Sequence, residues 1–400
     1  MPRGVLAIAT LMAFAIWAPL LAVPPVESVL ADELRVSHAL TSLLFTGPIF
    51  MLALIAIPAG FLADRFGIRR VIGAGAVLVA AGSALRGVAP NYAVLLLFTL
   101  LYGGGLGLAF PNLPKLARHC GARQRAYITI GVFTASILAS GAFALLLTRP
   151  FIYPLTDSFR SVAFAWAAPA IVASVLWWVF IKEPPCQSAG VESIAFDLAA
   201  LRRVVMHRDL WLVAVVFWLH NFFLYTFVGW MPEFLVSIGA RPDLAGTISS
   251  TLFWLAIPSV LLLSQVSNRL GRRKPFLWFP GIVLIAIAVW ALYLNIPMSW
   301  ALMVISGVAT SVRFSTLLSV PVEIVTPREA GSASGLVMAV GYIGALVGPL
   351  VGGLILDRTG SYHWIFLSLA IVSVITTLAA LLVPETGHKG KRDKADRPIR

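Results

Sequence analysis

The fold is decided by the stretch Gly60-Phe61-Leu62-Ala63-Asp64-Arg65-Phe66-Gly67-Ile68-Arg69-Arg70. It closes one long apolar segment and opens onto the next, so it predicts a short charged loop at a membrane surface. A related stretch, Asn268-Arg269-Leu270-Gly271-Arg272-Arg273-Lys274, follows with an offset of 204 residues. The offset places Asp64 on Asn268, Arg65 on Arg269 and Gly67 on Gly271. The chain is therefore predicted to consist of two repeated halves.

The composition excludes a water-soluble protein. Of 400 residues, 59% are hydrophobic and 12% are charged, and the mean hydropathy is +0.91. A soluble chain is about half apolar and about a quarter charged. A soluble enzyme, a disordered protein and a secreted disulfide scaffold are therefore excluded. Cys120 and Cys186 lack metal-ligand spacing, and we interpret them as free thiols without a role.

Twelve segments are long and apolar enough to cross a bilayer as helices. They run over residues 5–30, 39–63, 71–89, 93–117, 127–148, 160–182, 210–237, 244–266, 276–296, 299–325, 331–356 and 363–383. The predicted fold is an all-α polytopic membrane protein with 12 transmembrane helices in two pseudo-symmetric six-helix bundles. The predicted domains are a first bundle at 1–182, a cytoplasmic linker at 183–209, a second bundle at 210–383 and a basic cytoplasmic tail at 384–400.

The basic residues predict the orientation. With the N-terminus inside, 23 of the 30 Lys and Arg residues fall on the inner side and 6 on the outer side. The protein is thus expected in the inner (plasma) membrane, with both termini in the cytoplasm. The same distribution explains the net charge of +13 by contact with anionic membrane lipid, and no nucleic-acid partner is expected.

The stretch from Gly60 to Arg70 resembles the loop signature of the major facilitator superfamily, G-x-L-A-D-R-x-G-x-R-R. The resemblance implies a carrier that works by alternating access between two bundles. Gly60 and Gly67 are expected to allow close helix approach and a tight turn, and Asp64 to accept from backbone N–H groups. The three basic residues Arg65, Arg69 and Arg70 are expected to pair with carboxylates. The predicted gating latch comprises Asp64, Arg65, Gly60, Gly67, Arg69, Arg269 and Glu323; the alternative is that these charges only anchor the topology.

A second resemblance concerns the substrate. The stretch from Val340 to Gly353, with Asp357-Arg358-Thr359-Gly360-Ser361 after it, resembles the cyanate permease group of the superfamily. That group is associated with small anions. The Gly-Pro pattern that proton-driven drug antiporters carry in span five is missing from Ile128–Leu147. Drug export is therefore kept only as the alternative.

Arg313 is the most informative charge, because it falls at the centre of predicted span ten. A central Arg costs roughly 2.5–3.5 kcal/mol on insertion scales. No Asp or Glu stands at a comparable depth in the sequence of any predicted span. We therefore expect the substrate to supply the negative charge. The alternative is that Arg313 binds carbonyl groups of broken helices.

Other polar residues are candidates by their place in the predicted spans. In span seven, Asn221 and Tyr225 share one helix face and could orient the ligand, with His220 beside them. The predicted substrate-binding residues are Arg313, Asn221, Tyr225, His220, Tyr102 and Trp17. His220, Glu27 and Glu233 are the candidate proton-coupling residues.

The two acids stand high in their spans and could instead pair with Arg35, Arg86 or Arg241, while Glu323 is expected to pair with the loop from Arg269 to Arg273.

Three functions are weighed. The preferred one is a secondary carrier of a small anion, driven by proton symport or by exchange. The alternatives are a proton-driven exporter of apolar or cationic drugs and a receptor-like membrane component. No Walker loop, HExxH or nucleophile elbow is present, so no ATP drive and no enzymatic activity are expected. No cofactor, metal or catalytic residue is expected either, and the chain is expected to be monomeric.

Overall fold

A computed structural model describes residues 3–119, 123–182, 198–326 and 329–387. Twelve long helices, here called spans one to twelve, cover most of these residues: Arg3–Leu21, His38–Phe66, Ile68–Arg86, Tyr92–Ala109, Arg123–Leu147, Phe159–Phe180, Arg208–Ser237, Pro242–Leu270, Pro275–Ala291, Ile296–Ile324, Ala330–Thr359 and Tyr362–Leu382. Eleven helical segments are long and apolar enough to cross a membrane, and Pro275–Ala291 is a shorter apolar helix. No strand occurs in the described ranges. The prediction of an all-α chain with twelve spans is confirmed.

The predicted repeat is visible in the helix boundaries. Span two, His38–Phe66, and span eight, Pro242–Leu270, both begin and end 204 residues apart. Each is followed by a glycine with positive φ, +93° at Gly67 and +64° at Gly271. Only glycine adopts this conformation without strain, so the tight turn predicted at Gly67 is confirmed.

Prolines interrupt two of the spans. The chain of span one continues through a 3₁₀ turn at Pro24–Val26 into the short helix Glu27–Leu34. Span four continues through a 3₁₀ turn at Phe110–Asn112 into the helix Leu113–His119. A proline cannot donate a helix hydrogen bond, so Pro24 and Pro25 in the first turn and Pro111 in the second explain the two breaks. Span four is thus broken close to its end.

Glycines let the helices of the first half approach closely. A Cβ atom at Gly105 would lie 2.6 Å from the carbonyl oxygen of Gly75, and one at Gly103 would lie 2.5 Å from Cα of Pro48. Spans two, three and four therefore pack backbone against backbone. The expectation for Gly60 was wrong, because a Cβ atom there would meet nothing within 4 Å.

The chain divides into two compact units. The first comprises the described residues of Met1–Ala195 together with Val228–Phe253, and the second those of Phe196–Phe227 and Trp254–Arg400. The end of span seven and the start of span eight thus group with the first half. The domain boundaries predicted above stay a prediction. Part of the predicted linker, both cysteines and the tail beyond Gly387 lie outside the described residues.

Candidate functional site

Arg313 is buried at the middle of span ten, with 1% of its surface exposed. Its Nε and Nη2 atoms have no hydrogen-bond partner among the residues that the structure describes. Within the same ranges, no carboxylate is close enough to act on its charge. The second unit therefore contains a buried cation whose charge is not neutralised by the described part of the chain.

The guanidinium of Arg313 lies where spans nine, ten and twelve meet. A Cβ atom at Gly281 of span nine would be 3.3 Å from Nη1 of Arg313, and it would collide with Oγ1 of Thr377 in span twelve. Glycine is thus the residue that leaves room for the guanidinium beside span nine. The Oγ atom of Ser373, one turn before Thr377, also lacks a partner among the described residues.

His220 and Asn221 of span seven add further unsatisfied groups to the second unit. Both are fully buried, and neither ring nitrogen of His220 nor either amide atom of Asn221 has a described partner. The His220 ring lies beside Phe314, with 6.1 Å between the ring centroids, and within electrostatic reach of Arg313. Buried polar groups normally have partners, so this set is unusual.

Span eleven fixes the position of these span-seven side chains. A Cβ atom at Gly341 or Gly344 would collide with Phe217 or with the carbonyl group of Trp218. The two helices therefore touch along a glycine face, and His220 follows within one turn of that contact.

Tyr342 of span eleven is a residue that sequence reasoning did not select. It is buried, its ring packs edge-on against Phe217 with centroids 6.0 Å apart, and it lies within electrostatic reach of Tyr225. The sequence signal that could have identified Tyr342 was its position next to Gly341, in the stretch that resembles the cyanate permease group.

The predicted substrate-binding residues of the first unit, Tyr102 and Trp17, are both buried. The hydroxyl of Tyr102 donates to the carbonyl oxygen of Ile16 at 2.7 Å, which joins span four to span one. The Trp17 ring packs edge-on against Phe110, with centroids 5.2 Å apart, and its Nε1 has no described partner. Contact of either residue with a substrate stays a prediction.

Arg86 is a second buried arginine, and the expectation that it pairs with Glu27 or Glu233 was wrong. Its Nη1 donates to the carbonyl oxygen of Pro19 at 3.1 Å. Its guanidinium carbon lies 5.8 Å from the ring centroid of Tyr102 and 5.4 Å from that of Phe159. The carbonyl group of Pro19 and two aromatic faces therefore stand where a carboxylate was expected, while Nε and Nη2 of Arg86 have no described partner.

The two high acids also have partners other than the expected arginines. Glu27 is contacted by Nδ1 of His38, at 3.1 Å from each carboxylate oxygen, and it accepts from the hydroxyl of Thr41. Both the hydroxyl and the backbone N–H of Ser28 donate to Glu233.

Arg241 pairs with Asp243 at 2.9 Å, so its expected pairing with Glu27 or Glu233 was wrong. His38 was not selected from the sequence.

Charged residues of the predicted latch, and of the loops beside it, have described contacts. Arg273 donates to Glu323 at 2.7 Å, which confirms the pairing of Glu323 with its loop. Arg69 instead donates to the carbonyl oxygen of Trp178 at 2.9 Å, so its expected carboxylate partner was wrong. Arg65 lies over the ring of Phe66.

Arg269 is exposed, and the Asp64 side chain lies outside the described part of the chain. The latch itself stays a prediction.

Comparisons with known proteins agree with this architecture. The family model of the Major Facilitator Superfamily matches residues 5–241 and 231–400. The chain is 24% identical over 362 residues to the cyanate transport protein CynX of Escherichia coli strain K12, covering 89% of this chain and 92% of that protein. It is 26% identical over 363 residues to the 2-nitroimidazole transporter of the same organism, covering 88% and 89%. It is 21% identical over 413 residues to a probable sulfoacetate transporter of Cupriavidus necator, covering 95% and 93%.

Solved structures show the same fold. A bacterial homologue of the human lysosomal transporter Spinster, inward-facing and unoccupied, superposes with a TM-score of 0.81 at 18% identity, over 100% of this chain and 99% of that one. A D-xylose–proton symporter gives 0.77 at 15% identity, over 97% and 98%. These relatives and structural neighbours are membrane transporters and not enzymes. The chain therefore belongs to the major facilitator superfamily and is a multi-span membrane transporter of small solutes.

Proposed function

We propose that this transporter is a secondary carrier of a small anion and that Arg313 provides the counter-charge. The observation that carries the proposal is the buried guanidinium of Arg313, which has two nitrogen atoms lacking a described partner, no described carboxylate nearby, and the equally unpartnered His220 within electrostatic reach. An uncompensated buried charge is unfavourable. A bound anion offsets that cost and occupies the vacant donors.

His220 and Asn221 supply the neutral part of the proposed site. Their four polar atoms lack described partners, and His220 is within electrostatic reach of Arg313. A ligand oxygen or nitrogen can satisfy these groups, whereas an empty site leaves them buried at a cost of about 1–3 kcal/mol each. Tyr225, Trp17 and Tyr102 remain the further proposed contacts.

The names of the relatives agree with an anionic substrate. Cyanate and sulfoacetate, after which two relatives are named, are anions. Alternating access between two repeats is the transport mode that this architecture supports. We further propose that the protein acts as a monomer in the inner membrane with both termini inside, since the basic residues concentrate on that side.

A second candidate is a carrier of neutral aromatic or drug-like compounds. Two observations favour it: Nη1 of Arg313 lies beside Gly281, near Thr377, between helices of its own unit, and one relative is named for 2-nitroimidazole. In this case Arg313 joins spans nine, ten and twelve, and the ligand carries no charge.

Thermal unfolding of the purified protein with a panel of solutes separates the two candidates. The panel contains cyanate, nitrate, formate and sulfoacetate as anions and 2-nitroimidazole as the neutral compound. A ligand that binds the folded state raises the melting temperature with its concentration. We expect stabilisation by at least one anion in the wild type, its loss in Arg313→Gln, and its partial retention in Arg313→Lys.

Arg86→Gln is the matched control: Arg86 is also buried with two nitrogen atoms lacking a described partner, but its Nη1 donates to a backbone carbonyl group and its guanidinium faces two aromatic rings. This variant should melt earlier yet keep the anion-induced shift. Stabilisation by 2-nitroimidazole alone, or an anion shift that survives Arg313→Gln, would contradict the anion proposal.

A further inference from the structure

A cluster of titratable groups in the first unit has no part in the proposed anion site. Glu27 begins the short helix Glu27–Leu34, and His38 begins span two. Nδ1 of His38 is 3.1 Å from both oxygens of Glu27, and the Thr41 hydroxyl donates to the same carboxylate. The Glu27 side chain is 5% exposed and that of His38 is 31% exposed. A buried acid is thus joined to a partly exposed imidazole at the start of span two.

The end of span seven brings a second acid to this cluster. Glu233 is buried, accepts from Ser28 and lies within electrostatic reach of Glu27. Trp230, one turn earlier on the same helix face, packs its ring edge-on against His38 with centroids 6.0 Å apart. One face of span seven therefore presents Glu233 to the Glu27–His38 pair.

The charges of the cluster do not balance while the His38 imidazole is neutral. Arg149 is the described cation within electrostatic reach of Glu233, and one of the two carboxylates is then uncompensated, whereas a protonated His38 forms an ion pair with Glu27. Arg86 bonds to Pro19, and the other charged side chains of the surrounding elements are exposed: Asp32, Glu33, Arg35, Asp157 and Arg160. Two buried carboxylates in one cluster repel each other, and one shared proton removes the excess negative charge.

We propose that Glu27 and Glu233 form a shared proton-binding site and that His38 conducts the proton to it from water. One proton leaves water and one carboxylate becomes a carboxylic acid, with no electron transfer. The role of this proton as the coupling ion rests on the proposed carrier function. The site then makes uptake of a monovalent anion electrically neutral, with one proton for each anion.

Infrared difference spectroscopy of the purified protein between acidic and alkaline buffer tests the site without any substrate. We expect a C=O band of a protonated buried carboxyl group in the wild type, its loss in both Glu27→Gln and Glu233→Gln, and its retention in Glu233→Asp. Asp32→Asn is the matched control on the same short helix and should keep the band, because Asp32 is exposed. A wild type without the band, or a band lost in only one of the two Gln variants, overturns the shared site.

Transport in proteoliposomes tests the coupling role, with cyanate as the probe. Under an imposed difference of one pH unit, the wild type should accumulate cyanate about tenfold, because one pH unit corresponds to a tenfold ratio. Glu27→Gln and Glu233→Gln should accumulate none and still exchange cyanate between the two sides. His38→Gln should keep the infrared band and slow the gradient-driven uptake.

The two proposals fail in different ways. Accumulation that persists in Glu27→Gln and Glu233→Gln overturns the coupling role. Absence of cyanate exchange in the wild type counts against cyanate as a substrate, and the infrared experiment still decides on the proton site.

Discussion

Arg69 and Arg273 occupy equivalent positions in the two repeats, 204 residues apart, but their guanidinium groups bind different partners. Arg69 donates to the carbonyl oxygen of Trp178, and its guanidinium carbon lies 5.3 Å from that indole. Arg273 donates from Nε and Nη2 to the carboxylate of Glu323, which also accepts from Thr386 at 2.6 Å. The repeated loop is thus joined to its own half by an aromatic contact in one case and by an ion pair in the other.

The ion pair of the second repeat should contribute measurably to stability. Arg273 and Glu323 are 15% and 25% exposed, so water screens them only partly. A double-mutant cycle with Arg273→Gln and Glu323→Gln, followed by unfolding in mixed micelles, should give a coupling energy of about 1–2 kcal/mol. The Arg241–Asp243 pair, 82% and 41% exposed, is the control and should give about 0.5 kcal/mol or less. Equal coupling energies for the two pairs would contradict the argument.

The sequence predicted the spans well because each apolar segment must satisfy its own backbone within a bilayer. It also predicted the turn at Gly67, where only one residue type fits the conformation. The partners of Arg86, Arg69 and Glu27 were not predictable. Sequence gives the sign and depth of a charge, but the carbonyl group of Pro19 and the ring of Trp178 reach these arginines only after the helices pack.

The surroundings of Arg313, and His38 as the partner of Glu27, were likewise not predictable from the sequence. Burial near the centre of a span was readable from position, whereas the place of the Arg313 guanidinium beside Gly281 depends on a missing side chain in another helix. His38 was overlooked because it stands at a predicted span boundary, where a polar residue is ordinary.

Asn91 and Asn295 should stabilise spans four and ten to the same extent. They are also 204 residues apart, and each amide oxygen accepts the N–H of the third following residue at 3.0 Å. Replacing an N-cap Asn by Ala costs about 1 kcal/mol. Asn91→Ala and Asn295→Ala should each lower the melting temperature by similar amounts. A large effect at one position with none at the other would show that the two caps are not equivalent.

Two glycines of span eleven should respond in opposite directions to the same substitution. A Cβ atom at Gly344 would collide with the carbonyl group of Trp218, so Gly344→Ala should force spans seven and eleven apart and destabilise the protein by about 1–3 kcal/mol. A Cβ atom at Gly335 meets nothing within 4 Å. Gly335→Ala should therefore stabilise the helix by about 0.5–1 kcal/mol. Melting temperatures of both variants check this, and destabilisation by Gly335→Ala would contradict it.

The linker helix Leu198–Met206 should dock on span eleven in a pH-dependent way. Its Arg203 donates from Nε to Glu329 at 2.6 Å, and Thr326 donates to the same carboxylate at 2.9 Å. These hydrogen bonds, that from Arg203 first, hold the pKa of Glu329 below its ordinary value. A lowered pKa in the folded state means that the contact stabilises docking at neutral pH and is lost as the pH falls through that lowered value. The protection factors of residues 198–206, which correct the exchange rates for the intrinsic effect of pH, should therefore fall in acid in the wild type. In Glu329→Gln the protection factors should be lower at neutral pH and should no longer change with pH. An unchanged profile in that variant would show that Val204 and Leu210, buried against Ala333, hold the helix in place without the ion pair.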